Sequence, residues 1–213
     1  MSNPEDTVVY GWNLFIPDYC VDEPDLTPER VEAIKTSWQT VKSGKAQNLE
    51  LEDGHSPLDC FAAKFYETLF ESAPAAMELF PDDMSQEAKK LGQMLDTAIS
   101  LLDKDVPALV QALQKLAKRH FKYGTLPEHY DPVGAALVKT LQTSLGDEFT
   151  SDVATCWVHL YTVIVNVMLP ITYDMCSEAP AKPEEPAKEA ANDKNSATAG
   201  DVLTEQVKDE VMM

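Results

Sequence analysis

Basic residues are scarce in this chain. Its 213 residues hold 17 Lys and Arg against 36 Asp and Glu, a formal net charge of −19. Binding to phosphate backbones needs clustered cations, so neither nucleic acid nor an anionic membrane surface is an expected partner. No apolar run approaches the ~20 residues that cross a bilayer, and no membrane span is expected. The N-terminus offers Glu5 and Asp6 and no basic flank, so it does not read as a secretory leader. The four cysteines, Cys20, Cys60, Cys156 and Cys176, lack the spacing of metal fingers or redox motifs, and they are expected to be reduced thiols in a cytoplasmic protein. There is no internal repeat and little of the two-residue alternation that marks strands.

What is present divides into three regions. Residues 1–26 carry Pro4, Pro17 and Pro24, acids without a base, and the apolar side chains of Tyr10, Trp12, Leu14, Phe15 and Ile16. They have no helical stripe but are too apolar for a plain solvated tail. Two readings stand: an extended arm on the surface of the domain, or a short docking motif for a partner. Residues 177–213 are dominated by Ala, Pro, Glu and Lys and have no aromatics. Such a segment cannot bury enough apolar area to offset its ordering entropy and is expected to be a disordered acidic tail, with at most a weak helix near Leu203.

The 27–176 region reads as helices. Thr27-Pro28 is an N-cap followed by proline at the first helical position, and Val31, Ile34, Trp38 and Val41 then share a face. The polar stretch from Ser43 to Pro57 is long for a connection in a helical domain. Phe61, Phe65 and Leu69 follow at steps of four. Ser85 is the expected cap of a helix with Leu91, Leu95, Ala98 and Leu102 on its face. Asp105 is the expected cap of another, with Leu109, Leu113, Leu116 and His120 in line and Gly124 beyond its end. Asp131-Pro132 starts a helix stopped by Gly146. A last helix begins near Thr150 and is expected to end at Pro170. Periods of 3.6 make the domain all-α.

His120 sits where a leucine would pack. Burying an imidazole is costly unless a ring nitrogen finds a partner. Periodicity leaves two readings open: a core histidine satisfied by a hydrogen bond, or one whose nitrogen holds a metal in an apolar slot.

The wider pattern carries a resemblance. LAKRHFKYGTLPEHYDPVGAALVKTLQTSLGDEFTSDVATCW, residues 116–157, and FYETLFESAPAAMELFPDDM, residues 65–84, resemble bacterial-type globins, the single-domain and flavohaemoglobin-like kind, which are also related to neuroglobins. The spacing of His120, Gly124, Tyr130, Val133 and Gly134 carries it, and it extends over about 150 residues, from Leu26 to Tyr173. The resemblance implies a globin fold of about eight helices around haem b, with the N-terminal arm and acidic tail as appendages.

It also implies roles. His120 matches the proximal iron ligand, whose second ring nitrogen should donate to a backbone carbonyl near Leu116. Phe80 matches the phenylalanine wedged against the porphyrin. Tyr66 matches a distal tyrosine able to donate to a polarised oxygen ligand. The family's distal glutamine or histidine position falls on Glu87, a departure, because a carboxylate there is costly to bury and repels such a ligand. Three arrangements follow: Glu87 turns out to pair with Lys90; Gln86 rotates inward; or Lys90 reaches the haem propionates or the iron. The first is expected here, with Leu91 over the haem face. Tyr130 matches a proximal tyrosine that, in flavohaemoglobins, joins a glutamate on the last helix. Thr172 stands at that glutamate's position, with Asp174 two residues on. Val133 lines the same side. His55, His129 and His159 are not expected to bind haem, and His159 is expected off the apolar face of the last helix. Trp157, Met168, Cys60 and Cys156 read as packing.

The function implied is reversible binding of dioxygen or another diatomic gas, for storage, transport or buffering. One alternative is nitric oxide dioxygenation with an external reductase, since no reductase sequence follows the domain. Another is gas sensing, with the arm docking a partner.

Overall fold

The computed structural model describes residues 11–178, and the expectations for residues 1–10 and for the tail from 179 onward, including a helix near Leu203, lie outside the described residues. Where about eight helices were expected, the described residues hold six α-helices and four short 3-10 segments, and no strand. The helices are α1 (Pro28–Lys42), α2 (Pro57–Ser72), α3 (Ser85–Leu101), α4 (Val106–Lys122), α5 (Tyr130–Leu145) and α6 (Ser151–Glu178). The 3-10 segments are Gly11–Phe15, Pro74–Leu79, Pro127–His129 and Gly146–Glu148.

Local chemistry sets most boundaries. Thr27 caps α1, Asp105 caps α4 through the Ala108 amide at 2.9 Å, and Ser56 with Asp59 forms a reciprocal box at the start of α2. Two caps differ from expectation. Ser85 is the first residue of α3, and its amide donates to Asp83 Oδ1 at 3.0 Å. Helix α5 begins at Tyr130, one residue before Asp131.

The larger correction is at Pro170, which does not end α6. A proline inside a helix removes one hydrogen bond and costs ~3 kcal/mol. Met168 and Leu169 before it and Thr172 after it are all buried in one core, so continuing the helix keeps all three out of water. The carbonyl left without a donor is that of Asn166, an exposed residue. The uninterrupted helix also corrects the expectation about apolar runs. By length and composition α6 could cross a membrane, yet half of its most apolar window is buried within the domain.

The core forms where Val31, Ile34, Trp38 and Val41 of α1, Phe61, Phe65 and Leu69 of α2, Leu137, Leu141 and Leu145 of α5, and Trp157, Leu160, Val165 and Leu169 of α6 interlock. Its polar tips are satisfied: Trp157 Nε1 donates to Ser37 Oγ at 3.0 Å, and Trp38 Nε1 to Asp96 Oδ1 at 3.1 Å. Helix α3 packs chiefly on α2, and α4 chiefly on α6, while α3 and α4 touch each other sparsely. The long Ser43–Pro57 connection is pinned to the end of α5 by the Asn48 amide on the Ser144 carbonyl, 2.9 Å.

The arm from Gly11 to Leu26 runs back along α6. Phe15 lies against Tyr173 with ring centroids 6.1 Å apart, the Val21 amide donates to Thr162 Oγ1 at 3.2 Å, and the Asp25 amide donates to His159 Nδ1 at 3.1 Å. Trp12, Phe15, Ile16 and Tyr19 pack on the core of the chain's own domain, while Leu14 is exposed. His159 is off the apolar face of α6, as expected, and is nonetheless buried. It faces the arm rather than the Trp157 side, a burial that only a non-adjacent segment could supply.

Candidate functional site

The residues singled out from the sequence fall into three groups. The first is on α4. His120 continues the buried stripe of Leu109, Leu113 and Ala117 and is itself only partly exposed. Its Nδ1 lies 3.1 Å from the carbonyl of Leu116, one turn back. A carbonyl only accepts, so Nδ1 carries the proton and Nε2 keeps its lone pair. Burial pushes the imidazole pKa down, the Leu116 carbonyl opposes this, and Arg119 adds to it. The ring is thus held neutral, the form that binds metals. Among the described residues, no three His, Cys, Asp or Glu side chains cluster as a protein-made metal centre would need. An ion held by His120 would have to bring its remaining ligands with it. Helix α4 ends at Tyr123, and Gly124 turns the chain with φ +88°, where a side chain would be strained.

The second group is aromatic. Tyr66 on α2 meets Phe80, after the Pro74–Leu79 segment, edge-on at 5.2 Å, and Phe70 meets both, Tyr66 at 5.9 Å and Phe80 at 5.4 Å. The Tyr66 phenol is buried, and its pKa is pushed above the ordinary range by that burial and then by the Glu87 carboxylate. Glu87 therefore lies within electrostatic reach of Tyr66. It is half-buried and accepts from Lys90 Nζ at 2.7 Å, while Lys90 is exposed and raised by that bond. Gln86 is exposed, and Leu91 is half-buried against the core.

The third group surrounds the start of α5. The Tyr130 and Thr172 hydroxyls meet at 2.7 Å, both buried, and burial raises the Tyr130 pKa to about 12. Tyr161 donates to the Tyr130 carbonyl, and Tyr19 of the arm donates to the Asp131 carbonyl at 2.7 Å. Gly134 makes room: a Cβ there would overlap the Tyr161 ring and the Tyr19 hydroxyl. Val133 packs on the core nearby. The sequence reading missed Tyr19 and Tyr161. Tyr161 was detectable as an apolar position four residues after Trp157. Tyr19 was not, because its partners are more than a hundred residues away.

Comparison with known proteins bears on the family and the fold. Residues 63–168 match the family model described as Globin. An anaerobic nitrite reductase of Brassica napus is 28% identical over 172 residues, covering 74% of this chain and 97% of that protein. A neuroglobin of Dissostichus mawsoni is 25% identical, covering 67% and 90%. A flavohemoprotein of Bacillus subtilis is 26% identical over 57% of this chain, but only 31% of its own length is matched. Among solved structures, a bacterial globin of Campylobacter jejuni superposes with TM-score 0.57 at 19% identity, covering 71% of this chain and all of that one. A Drosophila melanogaster globin gives 0.58 at 16%, covering 68% and 94%. At these identities the structures speak to the fold.

Proposed function

The chain belongs to the globin family, and from that premise we propose that it holds haem b through His120 and binds dioxygen reversibly, in the cytoplasm, for storage, transport or buffering. The observation that carries the reading is the His120–Leu116 hydrogen bond. It leaves Nε2 unprotonated, aims the ring and raises its basicity as a ligand. The sparse contact between α3 and α4, each backed by a different helix, suits a flat group inserted between them. When bound, the haem would supply the iron and its four porphyrin nitrogens, a donor set that no cluster of side chains among the described residues provides.

The other residues act around that centre. Phe80, locked between Tyr66 and Phe70, offers a rigid apolar edge. Leu91, Leu116 and Val133 line the slot and exclude water. The Tyr66 phenol, kept protonated by burial, donates to a gas that acquires negative charge. Glu87 is drawn toward solvent by Lys90, which limits the repulsion its carboxylate exerts. Nitric oxide dioxygenation with an external reductase is the weaker reading, because Tyr130 meets a threonine hydroxyl where a glutamate would increase electron donation through the proximal histidine.

The test is the visible spectrum of the purified chain, ferric and ferrous, with and without added hemin. Intense haem bands with a reversible change on oxygenation are expected. Failure to take up hemin would overturn the proposal.

A further inference from the structure

One surface of this acidic molecule is basic. Helix α4 reads VPALVQALQKLAKRHFK and contains no acid between its ends. Its four cations besides His120, Lys115, Lys118, Arg119 and Lys122, are spaced at i, i+3, i+4 and i+7, which puts them on one face. All four are exposed, and none has an ion-pair partner among the described residues. Elsewhere among the described residues Arg30, Lys35, Lys42, Lys64 and Lys90 are paired, and the other unpaired cations, Lys45, Lys89, Lys104 and Lys139, stand on other segments; only α4 gathers four on one face. Beside the stripe's C-terminal end lie large apolar side chains in water: Tyr123 at 69% exposure, Leu126 at 41%, and Met77 at 55% on the segment whose Leu79 abuts Gly124. Exposed apolar groups rimmed by polar and charged side chains, here the α4 cations with Glu78 and Glu128, mark a protein interface.

We propose that this face of α4 docks an acidic protein that delivers single electrons to the group held by His120. The inference rests on the haem reading above. The charge complementarity is local. At ~0.1 M salt the Debye length is ~10 Å, so a partner on α4 feels the stripe rather than the acids on remote faces. The place is suitable because His120 is on the same helix, one residue from Arg119. The chemistry balances: the donor loses one electron, ferric iron gains one to become ferrous, and no bond or proton is exchanged. A gas carrier that oxidises in air needs such a supply. The apolar groups at the end of the stripe favour a folded protein over a nucleic acid.

The test uses the full haem-loaded chain and a reduced acidic ferredoxin of the plant [2Fe–2S] type as donor. The triple variant Lys115→Glu, Lys118→Glu, Lys122→Glu is compared with Lys45→Glu, Lys104→Glu, Lys139→Glu, which changes net charge equally at exposed sites elsewhere. The α4 variant should be reduced about tenfold more slowly at low salt and lose most of its salt dependence, and the control should resemble the parent. Reduction by photoreduced riboflavin, a small donor that needs no docking face, should be affected alike in the two variants. Binding to immobilised oxidised ferredoxin, which involves no turnover, should weaken for the α4 variant alone. Equal behaviour of the two variants, or tighter binding to a single-stranded oligonucleotide than to ferredoxin, would overturn the docking proposal. Absence of haem bands would instead overturn the haem reading, while the binding arm would still report on the surface.

Discussion

The hydroxyls of Tyr130 and Thr172 meet at 2.7 Å, in a buried site between the start of α5 and the distal half of α6. This contact exists because α6 continues past Pro170. Had the helix stopped there, Tyr130 would lack its partner.

Removing one member of this pair leaves the other buried and unsatisfied. Thr172→Val should cost about 1–3 kcal/mol, and adding Tyr130→Phe should recover part of the loss, because two apolar groups need no partner. A double-mutant cycle of urea midpoints measures this. Strict additivity would mean that the two hydroxyls do not interact.

Tyr66→Phe removes the donor near the gas site. Oxygen release should accelerate roughly ten- to a hundredfold, equivalent to ~1.5–3 kcal/mol for a hydrogen bond to a charged group. Stopped-flow displacement by carbon monoxide gives the rate. An unchanged rate would place the phenol outside the pocket.

Glu87 lies close enough to raise the Tyr66 pKa. Glu87→Gln removes the repulsion and offers an amide donor. Oxygen release should slow by roughly fivefold, the size of one neutral hydrogen bond. Release that speeds up instead would show that the Glu87–Lys90 pair orders the site.

His120→Ala should lose stable haem and the melting-temperature gain that a ligand specific to the native state confers. The haem-free chain tests the pH sign. Burial holds the His120 pKa below the ordinary 6.5, so the unfolded state takes the proton first as pH falls. The stability this contributes is complete above about 6.5 and is lost as pH falls through the lower native value. Haem-free His120→Leu should therefore lose less stability on acidification over that range. Identical pH slopes would mean that His120 titrates alike in both states.

Gly134→Ala should destabilise the fold by about 1–3 kcal/mol, because the added methyl must displace the Tyr161 ring and the Tyr19 hydroxyl. Chemical denaturation measures the cost, and faster proteolysis within residues 11–26 would report the loosened arm.

Sequence by itself determined what local rules govern. Helical periodicity fixed the apolar stripes of α1, α2 and α4, and caps such as Thr27 and Asp105 fixed where helices begin. The His120–Leu116 bond was legible because it closes within one helical turn. The pairing of Glu87 with Lys90 was legible for the same reason, three residues apart on one face. Only tertiary structure decided the rest. Pro170 is a helix breaker by local chemistry, and it stays helical because burial of Leu169 and Thr172 on either side outweighs one lost bond. His159 stands off the apolar face of its helix, and its burial comes from the arm. Tyr19 and Tyr161 reach the start of α5 from segments remote in sequence, and nothing in their neighbours specifies that meeting. Short-range hydrogen bonds and periodicity are written along the chain, whereas burial by a distant segment depends on how the whole chain closes upon itself.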